Sequence, residues 1–263
     1  MSGIKWTYQE DKVVVDANHN GLSYARITEL LPNRTLSSIQ QRGNKLKLKG
    51  CNRANSEFFK RNDEYSHYVL GYWLADGCIM YKTGGWYFSL VSNDYGHLEK
   101  IAQIMEVKTK IYYNSNKAFE LRVGDKELVN NLMQLGAIYR KTNSIKINDL
   151  KFDPLQFNHL LRGYFDGDGG YQFSGYTKLN GRRSIAGIKF TGSENLIKSL
   201  YEYIKTKGVL DKDTRKNNCY YLSYYGSKMR QLLNFMYKGA NISLERKHKI
   251  YNRGDKLNEL YQT

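Results

Sequence analysis

The chain has 263 residues, with 41 Lys plus Arg against 25 Asp plus Glu and a formal charge of +16. That length supports one large domain or two moderate ones, and so strong a positive charge points to a polyanionic partner, nucleic acid first. Cys51, Cys78 and Cys219 are odd in number, widely spaced and without a CxxC pair, which excludes a zinc finger or disulfide framework. No run is apolar for the length of a membrane span, and Met1–Gly21 lacks an apolar signal core, so the expectation is a soluble, intracellular (cytoplasmic) protein without a membrane partner.

Residues 1–48 read as a small all-α unit. Thr7 caps a first helix whose opening turn carries Glu10 and Asp11. Asn18-His19-Asn20 has no second ligand cluster after it and reads as a turn. A second helix is expected from Ser23 to Leu30, ended by Pro32. Thr35 caps a third, in which Leu36, Ile39, Gly43 and Leu46 form one buried stripe. The opposite face carries Ser37, Gln40, Gln41, Arg42, Asn44 and Lys45, donors suited to phosphates and base edges. Trp6, the Glu10-Asp11 pair and the run Arg34-Thr35-Leu36-Ser37-Ser38-Ile39 resemble a Myb/SANT-like helix-turn-helix. The resemblance implies that the third helix enters the major groove and makes Arg34, Gln40, Gln41, Arg42 and Lys45 candidate DNA contacts. A protein-binding helical module is the alternative. Residues 49–63 read as a polar linker, with Phe58 and Phe59 docking it onto the next domain.

The remainder is internally duplicated. Tyr68-Val69-Leu70-Gly71-Tyr72-Trp73-Leu74-Ala75-Asp76-Gly77 is echoed by Leu160-Leu161-Arg162-Gly163-Tyr164-Phe165-Asp166-Gly167-Asp168-Gly169. A strand pair comes after each block, Cys78–Lys82 with Tyr87–Ser92 and Gly170–Lys178 with Ser184–Thr191. Amphipathic helices come next, Asp94–Met105 and Glu194–Ile204. Two more strands succeed them, Thr109–Tyr113 with Phe119–Val123 and Val209–Arg215 with Tyr220–Tyr225. Closing helices Lys126–Leu135 and Lys228–Tyr237 lead to Tyr139-Arg140-Lys141 and Glu245-Arg246-Lys247. The order predicts an α+β fold of two pseudo-symmetric αββαββα halves, residues 64–150 and 151–263, each with an antiparallel sheet.

Gly71 and Ala75 are four residues apart, as are Gly163 and Gly167, so each pair lines one helix face and admits a close neighbour. Glycine weakens a helix; packing the two helices on each other offsets that loss. Asp76 and Asp168 end their helices at the negative end of the dipole. Brought together, two carboxylates raise each other's pKa unless a divalent cation, which prefers such hard oxygen donors, lies between them.

These blocks resemble the paired motifs of single-chain LAGLIDADG homing endonucleases over roughly residues 64–250. The resemblance implies paired saddle-shaped sheets and a monomer acting on double-stranded DNA. It implies Asp76 and Asp168 as catalytic metal ligands sharing two or three Mg²⁺ (or Mn²⁺) ions, and cleavage leaving a short 3′ overhang. Leu74 departs from the second block's Asp166, at a position that is not the family's metal ligand. Lys141 and Lys247 match the family's late basic residue by their place after each closing helix, at unequal spacings of 65 and 79 residues from their aspartates. They read either as catalytic groups that order water or stabilise charge, or as plain phosphate contacts.

Strand alternation assigns sheet faces. Ile79, Tyr81, Phe88, Leu90, Tyr171, Phe173, Ile188 and Phe190 point toward the helices. Met80, Lys82, Tyr87, Ser89, Arg122, Gln172, Ser174, Tyr176, Lys178, Arg183 and Lys189 point outward and are candidate groove contacts. The halves differ in sequence, which implies an asymmetric target. The rival readings are a non-cutting DNA-binding regulator, an intron maturase on the same fold, and a basic scaffold protein.

Overall fold

Capping chemistry starts the helices where the sequence places it. Thr7 Oγ1 accepts from the Glu10 amide (3.2 Å) while the Glu10 carboxylate accepts from the Thr7 amide (2.8 Å), a reciprocal box that opens α1 (Tyr8–His19). The computed structural model describes residues 5–19, 22, 24–48, 54–82, 84–115, 117–174, 185–214 and 218–259. Asn18 and His19 form the last turn of α1 rather than a loop. Next come α2 (Tyr24–Leu30) and α3 (Leu36–Lys45), the latter capped by Thr35, whose side chain accepts from the Ser38 amide. Val14, Ala17, Ile27 and Ile39 make a small separate core. Gly43 is buried as expected, but Leu36 is exposed, because it opens α3 beyond the reach of α1 and α2.

A 3-10 turn at Phe58–Lys60 buries both phenylalanines in the main core. Asp63 then caps α4 (Glu64–Asp76), accepting from the Ser66 amide at 2.9 Å. The first half continues with β1 (Gly77–Lys82), β2 (Gly85–Ser92), α5 (Tyr95–Ile104), β3 (Tyr112–Tyr113), β4 (Phe119–Val123) and α6 (Lys126–Gln134). The second repeats it with α7 (Phe157–Asp168), β5 (Gly169–Phe173), β6 (Ile185–Gly192), α8 (Glu194–Tyr203), β7 (Val209–Lys212), β8 (Tyr220–Tyr225) and α9 (Gly226–Tyr237). Each half holds one four-stranded antiparallel sheet, ordered β1-β2-β4-β3 and β5-β6-β8-β7. The edge strand β3 is only two residues long, shorter than the expected Thr109–Tyr113. After α9 the basic segment Glu245-Arg246-Lys247 opens a further helix, α10 (Glu245–Glu259). No helix among the described residues is long and apolar enough to cross a membrane.

The two motif helices lie side by side at the centre, and glycine makes this possible. A Cβ on Gly71 would meet the Leu160 carbonyl oxygen at 1.9 Å, and one on Gly163 would meet that of Tyr68 at 2.0 Å. The two backbones are therefore in direct contact, and a larger residue cannot fit without separating them. Ser66 through Leu74 are all buried, as are Leu160 through Asp166. Asp166 and Arg162 are therefore charges within the core. Arg162 Nε and Nη1 donate to the carbonyls of Ile242 (2.8 Å) and Met236 (2.6 Å), and Nη2 to Glu64 Oε1 at 2.5 Å. Its donors are thus matched to acceptors from both halves, which offsets desolvation.

Candidate active site at the paired helix ends

The two blocks end alike. Gly77 donates its amide to the Trp73 carbonyl and Gly169 to that of Phe165, and each turns at once into extended backbone. Neither glycine has a positive φ. Space is what requires them: a Cβ on Gly77 would lie 2.3 Å from Trp73 Cδ1, and one on Gly169 2.2 Å from Phe165 Cδ2. The glycine after each acid thus lets the chain leave the helix beside an aromatic ring, which turns the carboxylate out at the junction of helix and sheet.

Asp76 and Asp168 meet across the helix pair. Asp76 Oδ2 lies 3.2 Å from where a Cβ on Gly167 would sit, and Ala75 Cβ only 2.3 Å from it. Both acids are half-buried. Burial, and then the charge of Asp168, pushes Asp76 up to about 6; burial likewise raises Asp168, against the pull of Lys141 and Lys247.

The lysines occupy matching positions. Lys141 Nζ donates to the carbonyls of Leu74 (2.6 Å) and Ala75 (3.3 Å) and lies 5.2 Å from the Trp73 ring centroid. Lys247 Nζ donates to Phe165 (2.5 Å), Asp166 (2.8 Å) and Gly169 (2.6 Å), 5.0 Å from the Phe165 ring. Each ammonium therefore caps the carbonyl end of a motif helix, offsetting the dipole where a carboxylate would otherwise be disfavoured. Burial depresses both, Lys247 to about 8. Most of the unequal spacing arises before the closing helices, since two residues join β1 to β2 and eleven join β5 to β6. Arg140 takes a left-handed φ of 58° and delivers Lys141 at the start of a 3-10 turn, whereas Lys247 sits in the first turn of α10.

The donor chemistry at this centre fits a hard divalent cation. It offers two carboxylates, one from each half, and among the described residues no group of three or more His, Cys, Asp or Glu converges anywhere. An ion of the magnesium type, which accepts one or two carboxylates and completes its shell with water or phosphate oxygens, suits this set.

Sequence reasoning does not single out Asp166 as a structural centre. Its carboxylate accepts from the hydroxyls of Tyr68 (2.8 Å) and Tyr237 (2.5 Å) and from the Leu244 amide (2.7 Å). It thereby ties α4, α9 and the start of α10 to α7, and so fixes the segment that carries Lys247. Leu74 fills the equivalent place in the first half without any such network. The available signal was Arg162, an opposite charge four residues earlier on the same helix face.

The candidate DNA contacts fall into several groups. Gln40, Gln41 and Lys45 are exposed on α3. Arg34 is buried rather than presented outward, donating to Glu10 (2.7 and 2.8 Å) and to the Lys5 carbonyl (2.7 Å), with Trp6 against it. Arg42 is half-buried and forks onto Asp11 at 2.6 and 2.5 Å. Trp6 and the acidic pair therefore hold α3 against α1. Lys82 is exposed, and Met80, Tyr87, Arg122, Gln172, Ser174 and Lys189 are half-buried. Ser89, expected outward, is buried and donates to Glu120. Tyr81 and Phe173, expected inward, lie at strand ends beyond the core and are exposed, and the ladder shifts register between Gln172 and Phe173. Tyr176, Lys178 and Arg183 lie outside the described residues.

No protein-family model matches this sequence, and no curated protein does. Solved structures do match in fold. Meganuclease I-SmaMI bound to uncleavable DNA is similar at a TM-score of 0.55 and 17% identity, over 76% of this chain and 90% of that one. I-SmaMI bound to an uncleaved DNA target in the presence of calcium ions gives 0.51 and 15%, over 77% and 92%. The I-LtrWI LAGLIDADG homing endonuclease bound to target DNA gives 0.52 and 16%, over 79% and 92%. With its paired glycine-lined helices, two four-stranded sheets and an acid at each helix end, this chain has the LAGLIDADG homing-endonuclease fold.

Proposed function

We propose that the protein is a site-specific endonuclease that cuts both strands of a long, asymmetric DNA target as a monomer. The observation that carries this is the meeting of Asp76 and Asp168 at glycine-packed helix ends, each end capped by a lysine. Both carboxylates hold divalent cations, and each serves the cleavage of one strand, leaving a short 3′ overhang. Bound magnesium or manganese supplies Lewis-acid stabilisation of the phosphate and an activated water for phosphodiester hydrolysis. Lys141 and Lys247 keep positive charge beside the scissile phosphates while neutralising the helix ends. The outward residues of the two sheets, Met80, Lys82, Tyr87 and Arg122 on one and Gln172, Ser174 and Lys189 on the other, lie along the major groove. Gln40, Gln41 and Lys45 extend the contact beyond the sheets. The DNA-bound forms of structures with the same fold, one of them in the presence of calcium ions, support this reading.

The test incubates the purified protein with DNA spanning its own locus and Mg²⁺, and maps the ends produced. Wild type should cut both strands at one position. Asp76→Asn and Asp168→Asn should each abolish the double-strand cut. Sequence-specific binding without cutting would refute the endonuclease and favour a non-cutting regulator. Full-rate cutting by either variant would refute the metal assignment.

A further inference from the structure

The sheet that begins just after Asp76 carries a charged pair that the cleavage chemistry does not use. Cys78, Ser89 and Arg122 stand opposite one another across β1, β2 and β4, on the face away from the buried Ile79, Phe88, Leu90, Leu121 and Val123. Ser89 Oγ donates to Glu120 Oε1 at 2.8 Å. Arg122 Nε donates to Glu120 Oε1 at 2.8 Å, and its Nη2 to Oε2 at 2.9 Å. Glu120 is only 8% exposed, while the Arg122 side chain remains 38% exposed.

A nearly buried acid on a face meant for DNA is unfavourable unless it has a task. Here it grips one edge of the guanidinium and fixes its plane. The outer edge, Nη1 with the second hydrogen of Nη2, has no protein acceptor among the described residues. That edge is a two-donor fork with the spacing of guanine O6 and N7. The second sheet differs at the same places. Its equivalent row is Gly170, Lys189 and Ser223, Tyr221 stands where Glu120 does, and Lys189 Nζ lies 4.5 Å from the Tyr221 ring centroid. Lysine presents a point charge and no fork.

We propose that Arg122, held by Glu120 (itself bonded by Ser89), reads a single guanine in the half-site under the first sheet, and that the second sheet has no matching reader in its equivalent row. The inference rests on the DNA-endonuclease reading above. Strand spacing and base-pair rise place the guanine within about five base pairs of the phosphate cut at Asp76.

The test is selection of a randomised duplex library by full-length wild type, Arg122→Lys and Glu120→Gln, with calcium as the divalent ion, read by sequencing. Wild type should enrich guanine at one position by about 10-fold or more. Arg122→Lys, which keeps the charge and loses the fork, should erase that preference and leave other positions unchanged. Glu120→Gln should weaken it at the same position only. Unchanged preferences in Arg122→Lys, or weakening spread equally over all sequences as for a phosphate contact, would overturn the proposal while leaving the endonuclease reading intact. If wild type enriches no sequence, both fall.

Discussion

Replacing Gly71 with alanine adds one methyl group at the tightest point between α4 and α7. The new Cβ would lie 1.9 Å from the Leu160 carbonyl oxygen and 2.9 Å from the Tyr164 amide nitrogen. That is about 1.5 Å inside ordinary van der Waals contact, and both obstacles are backbone, which cannot swing away. Helix propensity alone favours alanine by about 1 kcal/mol. Overpacking a core of this kind costs about 1–3 kcal/mol or more, and a clash this deep against rigid backbone belongs at the upper end. The net expectation is a loss of about 2 kcal/mol, or roughly 4–8 °C in Tm for a chain of this size. The methyl also forces the helix ends apart, and in the proposed chemistry an error of about 1 Å between the two acids would cost about 100-fold in rate. Gly163→Ala, against the Tyr68 carbonyl at 2.0 Å, should behave alike. The double variant should cost less than the two singles together, because the first methyl has already separated the helices. Thermal denaturation and cleavage of one common DNA measure both effects. A Gly71→Ala protein as stable as wild type and cutting at full rate would refute the close-packing argument.

Three further outcomes are expected. Arg162 is wholly buried against Glu64 and two carbonyls, so Arg162→Met should destabilise by about 3–5 kcal/mol through the acceptors it leaves unpaired; urea denaturation showing less than about 1 kcal/mol would contradict that. Lys247→Met removes hydrogen bonds to three carbonyls and Lys141→Met to two, so the former should be the more destabilising, by about 2 kcal/mol or more, and the reverse order would count against the capping role. His97 is buried with Nε2 2.9 Å from the Tyr68 hydroxyl; burial lowers its pKa from 6.5 to about 4, Lys100, Arg246 and Lys247 adding to this and Asp94 opposing it. The unfolded chain therefore binds a proton that the folded one refuses, so the stability His97 contributes is complete above about pH 6.5 and is lost as pH falls through about 4, up to about 3 kcal/mol in all. His97→Gln should flatten that part of the pH profile in urea titrations at pH 7 and pH 4.5, and an unchanged difference would show that His97 does not titrate in this way.

The repeat, the helix order and the two acids were legible in the sequence because they depend on local rules. Small residues four apart share a helix face, strands alternate sides, and Asp76 and Asp168 recur in register with the duplicated elements around them. The fate of the charges was not legible. Arg34 and Arg42 looked like DNA contacts, yet Glu10 and Asp11, distant in sequence, take them up around Trp6. Ser89 and Glu120 alternate outward on their strands, yet they are buried and bonded to each other, with Arg122 clamped on Glu120. Lys141 and Lys247 occupy unequal spacings, and only the three-dimensional chain path shows that both reach the carbonyl end of a motif helix. Asp166 is one acid among several in sequence, and the hydroxyls that anchor it come from α4 and α9. Periodicity reports which way a side chain points from its own backbone, since that is set by helix and strand geometry. Which partner it meets depends on long-range packing, and here the direct backbone contact between α4 and α7 sets that packing and brings the two acids together.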